Sequence, residues 1–200
     1  IRAEELEKVI TEKTKIFCLI NPSNPTGAIT PPEEVIKISE LLKDKNIIVI
    51  SDEIYSRLPF NQQKIISFAS IKNMKEKTIT INGFSKAYSM TGWRIGYLTG
   101  NVEVIKKAIA LQSQSTSNVC SFAQKGAIAA LQGSKDCVHE MAEIYNKRRL
   151  LITERLKKIK NISFVPPTGA FYVFPEINLE EIDSISFCKL ALEKVGLAIV

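Results

Sequence analysis

An α/β fold, built on a mostly parallel sheet with helices packed on both faces, is what this sequence predicts, and three observations predict it. Short apolar runs recur at Ile16–Ile20, Ile47–Ile50 and Thr78–Ile81, and each ends on polar or turn-forming residues. A stretch with one apolar face at helical spacing separates the first two runs. Within the first two runs the apolar residues follow one another instead of alternating with polar ones, the mark of strands buried on both faces. Strand, helix and strand in that order predict a three-layer α/β/α arrangement, present here in part.

The elements follow in order. Ile16-Phe17-Cys18-Leu19-Ile20 ends at Asn21-Pro22 and reads as a buried strand. Thr30-Pro31-Pro32-Glu33-Glu34 then opens a helix: Thr30 is placed to cap it, a proline suits the first turn, and the two acids complement the helix dipole. Val35, Ile38, Leu41 and Leu42 form its apolar face. A second strand, Ile47–Ile50, runs into Ser51-Asp52-Glu53, and a third, Thr78–Ile81, into Asn82-Gly83. After Gly100 the character changes. Residues 101 to about 160 read as helices broken near Ser113–Asn118 and at Gly133, with Val138, Met141, Tyr145, Ile152, Leu156 and Ile159 as one packed stripe. Pro166-Pro167-Thr168-Gly169 turns into a strand, Ala170–Phe174, and a helix from about Ser184 to Val195 ends at Gly196. The last residues, Leu197–Val200, read as an apolar strand. We expect residues 1–105 to belong to a large domain, 106–150 to form interdomain helices, and 151–200 to belong to a smaller domain.

Composition narrows the function classes. The 200 residues are 45% hydrophobic and 24% charged, ordinary for a globular protein. The net charge of +6 is carried mostly by lysines, densest at Lys64–Lys77 and Lys157–Lys160. These read as solvated faces and loops, not as a nucleic-acid surface. No apolar run reaches the ~20 residues that span a bilayer, so no membrane partner is expected. The first residues, Ile1-Arg2-Ala3-Glu4-Glu5, lack the profile of a signal peptide. Cys18, Cys120, Cys137 and Cys188 are widely spaced and form no C-x-x-C pair, which predicts reduced thiols and a cytoplasmic location and gives no metal site. The single histidine, His139, has no partner at metal-ligand spacing, and its solitude disfavours hydrolytic triads.

Three loops at strand ends carry polar residues that the fold does not itself require: Asn21-Pro-Ser-Asn-Pro-Thr-Gly27, Ser51-Asp-Glu-Ile-Tyr55 and Asn82-Gly-Phe-Ser-Lys-Ala-Tyr-Ser-Met-Thr-Gly-Trp-Arg94. Ligands of open α/β sheets bind beyond the carboxyl ends of the strands. Singly, each loop has an ordinary explanation as a turn, a cap or a surface charge; their succession on consecutive strand ends does not.

In that succession the sequence resembles the fold-type I pyridoxal-phosphate aminotransferases of class I/II, of the bacterial aspartate aminotransferase kind, over essentially the whole chain. The resemblance implies pyridoxal 5'-phosphate as cofactor and a large domain of mostly parallel sheet joined to a smaller α+β domain. It implies roles for single residues. Asn24 and Tyr55 would hydrogen-bond the cofactor's phenolic oxygen, Asp52 would pair with the pyridine nitrogen, Lys86 would form the Schiff base and act as catalytic base, and Arg94 and Ser85 would hold the phosphate. The family often carries a hydroxyl residue three positions before the lysine, where this chain has Gly83. The physical chemistry agrees with these roles. A carboxylate holds a ring proton by charge pairing, a guanidinium matches phosphate with a planar fork, and a lysine can serve first as covalent anchor and then as base.

The resemblance further implies transamination between an amino acid, aspartate among the candidates, and a 2-oxo acid, in a homodimer about twice as long per chain. This stretch alone is expected to be inactive. It also implies a cis bond at Asn24–Pro25. A β-lyase of the same fold, and a cofactor-sensing domain of a transcription regulator, are the alternative functions.

Overall fold

The computed structural model describes residues 1–179 and 182–199. Its centre is a four-stranded sheet of β1 (Ile16–Ile20), β2 (Ile48–Asp52), β3 (Thr78–Gly83) and β4 (Gly96–Thr99), in that spatial order. The first three strands run parallel and β4 is antiparallel to β3. Helix α1 (Ala3–Val9) precedes the sheet, and α2 (Pro32–Leu42) makes the crossover from β1 to β2.

Register decides which residues share a face. Phe17 pairs with Val49 and Leu19 with Ser51, and these in turn pair with Thr78 and Thr80. All six are buried. Against Phe17, Leu19 and Val49 pack Val35, Ile38 and Leu42 of α2, together with Phe68 and Met74 from the segment before β3, as one apolar cluster. The opposite face holds Ile16 and Ile20 of β1, Ile81 of β3 and Leu98 of β4, which are 55, 40, 37 and 42% exposed. The described residues thus cover this face less fully than the other, while the mostly parallel sheet with helices is the partial α/β domain that the sequence predicts.

Thr30 does not cap α2. Pro31 occupies the cap position, and the backbone N–H of buried Thr30 instead donates to Asn21 Oδ1 at 2.9 Å.

Three helices follow β4: α3 (Val102–Ser115), α4 (Ser121–Gln132) and α5 (Asp136–Leu156), with breaks where the sequence predicts them. The packed stripe of α5 is corrected. Val138 is buried and Met141 and Tyr145 are half-buried, whereas Ile152 and Ile159 are exposed. Continuing at 3.6 residues per turn, the inward line passes through Tyr145, Arg149 and buried Thr153. Thr153 turns its hydroxyl back to the Arg149 carbonyl at 2.8 Å, and Arg149 reaches Asn61 Oδ1 at 3.1 Å.

The small sheet differs from expectation too. It pairs β5 (Ile162–Phe164) with β6 (Pro175–Ile177), antiparallel. Residues 170–174 form no strand. Ala170 takes a left-handed φ of 57°, and the segment's backbone bonds to distant loops instead of to a ladder. Helix α6 (Ser184–Val195) stands as predicted and closes at Gly196. Residues 197–199 form no strand, and Val200 lies outside the described residues.

Candidate functional site

The parallel strands β1, β2 and β3 deliver the three polar loops to one end of the sheet. Because β4 returns antiparallel, with Gly96 opposite Gly83, Arg94 enters the sheet at that same end. Asn24, Asp52, Tyr55, Ser85, Lys86 and Arg94 thus all lie around one rim.

Strand alternation sets the carboxylate. Asp52 is the last residue of β2 and pairs with Ile20 on one side and Ile81 on the other, which puts it on the open face. Its Oδ1 accepts from the Ile54 backbone N–H at 3.1 Å. Glu53, one residue on, turns into the covered layer, where Oε1 accepts from the hydroxyls of Ser51 at 2.9 Å and Ser67 at 2.7 Å.

Tyr55 is buried, and its hydroxyl shares a hydrogen bond with that of Tyr172. Burial, first, and the nearby negative charge of Asp52 push the phenol well above its ordinary range. At neutral pH it therefore keeps its proton as a donor. The Lys86 amine lies 5.7 Å from the centre of the Tyr55 ring and 5.3 Å from that of Phe171, a cation against two aromatic faces. Phe171 stacks in turn on Tyr145, with centroids 5.3 Å apart. Nothing in the sequence marked Phe171, Tyr172 or Tyr145 as functional. The one available signal was the aromatic pair directly after the Pro-Pro-Thr-Gly turn.

Arg94 is exposed, has a left-handed φ of 50°, and donates from Nη1 to the Thr91 carbonyl at 2.9 Å. Asn24 is exposed in the first loop and Ser85 is half-buried beside the lysine. The peptide bond between Asn24 and Pro25 is cis, as is that between Asn21 and Pro22. At the base of this loop Asn21 Nδ2 is buried with no partner among the described residues. Gly83 is packed closely: a Cβ there would meet Gly96 Cα at 3.0 Å and Ile54 Cδ1 at 3.2 Å. A side chain at this position would require its neighbours on β4 and at Ile54 to give by a few tenths of an ångström.

The first loop is held from afar. The backbone N–H groups of Thr168 and Gly169 both donate to the Gly27 carbonyl at 2.8 Å, and the Ile29 N–H donates to Thr168 Oγ1 at 2.8 Å. Ala170 donates to Leu58 and Phe60 to Thr168, which ties the same strap to the chain just beyond Tyr55.

The rim thus offers one amine, one carboxylate, a phenol and an amide as neutral donors, and a guanidinium with a hydroxyl. That donor set fits a group with an aldehyde, a basic ring nitrogen, a phenolic oxygen and a phosphate. Among the described residues no three His, Cys, Asp or Glu side chains gather as metal ligands.

The profile of the family described as aminotransferase class I and II matches residues 1–200. The chain is 42% identical over 208 residues to the aspartate aminotransferase of Bacillus subtilis (strain 168), covering 100% of this chain and 52% of that protein. It is 42% identical over 203 residues to a probable aspartate/prephenate aminotransferase of Aquifex aeolicus (strain VF5), covering 98% and 52%. Among solved structures, an aromatic aminotransferase from Pyrococcus horikoshii OT3 superposes with a TM-score of 0.95 at 35% identity, over 100% of this chain and 54% of that one. The aspartate aminotransferase from Rhizobium meliloti gives 0.92 at 33%, over 100% and 53%. The chain spans about half the length of the curated relatives it matches. It belongs to the class I and II aminotransferases, a pyridoxal-phosphate-dependent family.

Proposed function

We propose that this chain carries half of the catalytic machinery of an aminotransferase that moves an amino group between an amino acid, aspartate among its candidates, and a 2-oxo acid. The observation that carries the reading is the gathering of Lys86, Asp52 and Tyr55 on adjacent strand ends, with the lysine amine against the tyrosine ring. When bound, pyridoxal 5'-phosphate supplies an electron sink for the pair left behind when a substrate Cα–H bond breaks.

The residues divide the work. Lys86 Nζ would hold the cofactor as its covalent anchor, and the same amine, when free, would be the base that moves the substrate's Cα proton. The Asp52 carboxylate holds a proton on the pyridine nitrogen by charge pairing. Tyr55, kept protonated by burial, and Asn24 donate to the phenolic oxygen. Arg94 and Ser85 grip the phosphate, with Gly83 contributing no hydroxyl. Residues 1–105 form part of the large cofactor domain, 106–150 the interdomain helices and 151–200 part of the small domain. The full-length protein works as a homodimer, which light scattering tests directly; a stable monomer at working concentration would refute it. We place it in the cytoplasm, where the unpaired state of its four cysteines is at home; none of its described helices is long and apolar enough to cross a membrane.

The named relatives favour transamination over β-elimination or cofactor sensing. The test is borohydride reduction of the full-length holoenzyme followed by peptide mapping, with an amino-donor panel read for oxo acid and for ammonia. Label on the Lys86 peptide and paired oxo-acid products are expected, and Lys86→Ala should abolish both. Label on another lysine would overturn the site, and ammonia as the main product would overturn the reaction.

A further inference from the structure

We propose that Tyr172 is a positioning residue for Tyr55: its hydroxyl donates to the Tyr55 oxygen and so leaves the Tyr55 proton directed at the cofactor's phenolic oxygen. The inference rests on the role given to Tyr55 above.

A tyrosine hydroxyl carries one proton and can also accept. Among the described residues the hydroxyl of Tyr55 has one hydrogen-bond partner, the hydroxyl of Tyr172, and the pair can be polarised either way. If Tyr55 donates to Tyr172, its only proton is spent inside the protein. If Tyr172 donates, the Tyr55 proton is free for the cleft. An anionic oxygen there selects the second polarity, because a bond to a charged acceptor is stronger than one between two neutral hydroxyls. In that polarity the two bonds run in series, and each strengthens the other.

The arrangement is held by backbone. Tyr172 follows the strap that donates from Thr168 and Gly169 to Gly27, and from Ala170 to Leu58. Leu58 in turn donates to the Tyr55 carbonyl at 2.9 Å. Both tyrosines are therefore fixed to one hydrogen-bonded unit, with rings edge-to-face at 5.5 Å and 76°. Ring packing alone would also favour an aromatic residue at position 172, so the hydroxyl has to be tested separately from the ring.

Tyr172→Phe does this, because it keeps the ring and removes the oxygen. In the full-length holoenzyme loaded with pyridoxal 5'-phosphate, the readout is the pH midpoint of the bound cofactor's visible absorbance, with the melting temperature measured alongside. We expect Tyr172→Phe to raise the midpoint by roughly half a pH unit, since the phenolic oxygen then receives a weaker hydrogen bond. Tyr55→Phe should shift it further in the same direction. In the Tyr55→Phe background, adding Tyr172→Phe should change nothing more, because Tyr172 acts through Tyr55. A Tyr172→Phe midpoint equal to that of the unmodified enzyme, beside a shifted Tyr55→Phe, would overturn the inference and leave the site standing. A further shift in the double variant would overturn it by showing that Tyr172 acts directly. No shift in Tyr55→Phe itself would overturn the reading of Tyr55 and this inference with it.

Discussion

Replacing Gly27 by alanine strikes the point where the first polar loop meets the strap that carries Tyr172. Gly27 has a φ of +67°, and a Cβ added to it would lie 2.5 Å from Pro167 Cβ and 2.7 Å from the Tyr172 carbonyl oxygen. Two costs add. Holding alanine in the left-handed region costs about 1–2 kcal/mol, and overpacking a close contact costs about 1–3 kcal/mol, giving about 2–5 kcal/mol together. The carbonyl cannot swing away cheaply, because the Gly27 carbonyl beside it accepts from both Thr168 and Gly169. For a chain of this size, at about 2–4 °C per kcal/mol, the melting temperature should fall by roughly 4–20 °C. The assay is urea unfolding of the 200-residue chain followed by circular dichroism, with Gly92→Ala as control. An added Cβ at Gly92 meets nothing within 4 Å. A Gly27→Ala midpoint as high as the control's, at equal slope, would refute the tight junction between loop and strap.

Three further outcomes follow from the packing. Phe68→Ala empties a fully buried ring position in the main cluster and should cost about 3–5 kcal/mol in the same unfolding assay. Thr168→Val keeps the shape but leaves the N–H of buried Ile29 without its acceptor, so a loss of about 1–3 kcal/mol is expected, with faster amide exchange at Ile29. At the start of α6 the Asp183 carboxylate accepts from the Ser186 N–H and hydroxyl, which hold it below its ordinary value of 3.8. A depressed carboxylate stabilises the fold above its unfolded value and loses that contribution as pH falls through the lower folded one. The protection of the Ser186 amide, its exchange relative to an unstructured peptide at the same pH, should therefore fall on acidification below 3.8, and Asp183→Asn should remove that change in protection.

Strands β1, β2 and β3 were legible because their apolar runs end abruptly on polar residues, and α6 because Gly196 follows its last turn. The strap was not legible. Ala170-Phe171-Tyr172-Val173-Phe174 has the composition of a strand, but Ala170 turns left-handed and the bonds of this region reach Gly27 and Leu58, more than a hundred residues away. The strand role passed to Pro175-Glu176-Ile177, which has weaker intrinsic preference but a partner in Ile162–Phe164. In and just beyond α5 the apolar residues at 152 and 159 suggested a stripe, yet Arg149 and Thr153 take the inward positions, where Thr153 bonds back to its own helix and Arg149 bonds both Asn146 and the distant Asn61. The polar residues of the rim were visible through their motifs. The aromatic wall around Lys86 was not, since it depends on contacts between Tyr55 and residues 171 and 172 that only the folded chain makes.

The adjacent carboxylates Asp52 and Glu53 give the sharpest test of the register that builds the site. Side chains alternate along a strand, so one residue decides which acid faces the rim and which faces the covered layer. Glu53 is buried, and a single oxygen accepts both serine hydroxyls. A glutamine can keep that acceptor, so Glu53→Gln should cost only about 0.5–1.5 kcal/mol of stability and leave turnover of the full-length enzyme near normal. Asp52 lies at the rim between Ile20 and Ile81, where among the described residues no serine hydroxyl shares its charge. Asp52→Asn should leave the unfolding midpoint nearly unchanged but lower turnover on the order of a hundredfold or more, because a neutral amide cannot hold the ring proton. The two variants differ by one position and by the same exchange of oxygen for NH2, so opposite outcomes isolate the facing of the strand from the chemistry of the substitution. Equal losses of turnover in both, or a larger loss in Glu53→Gln, would show that β2 does not present Asp52 to the cofactor.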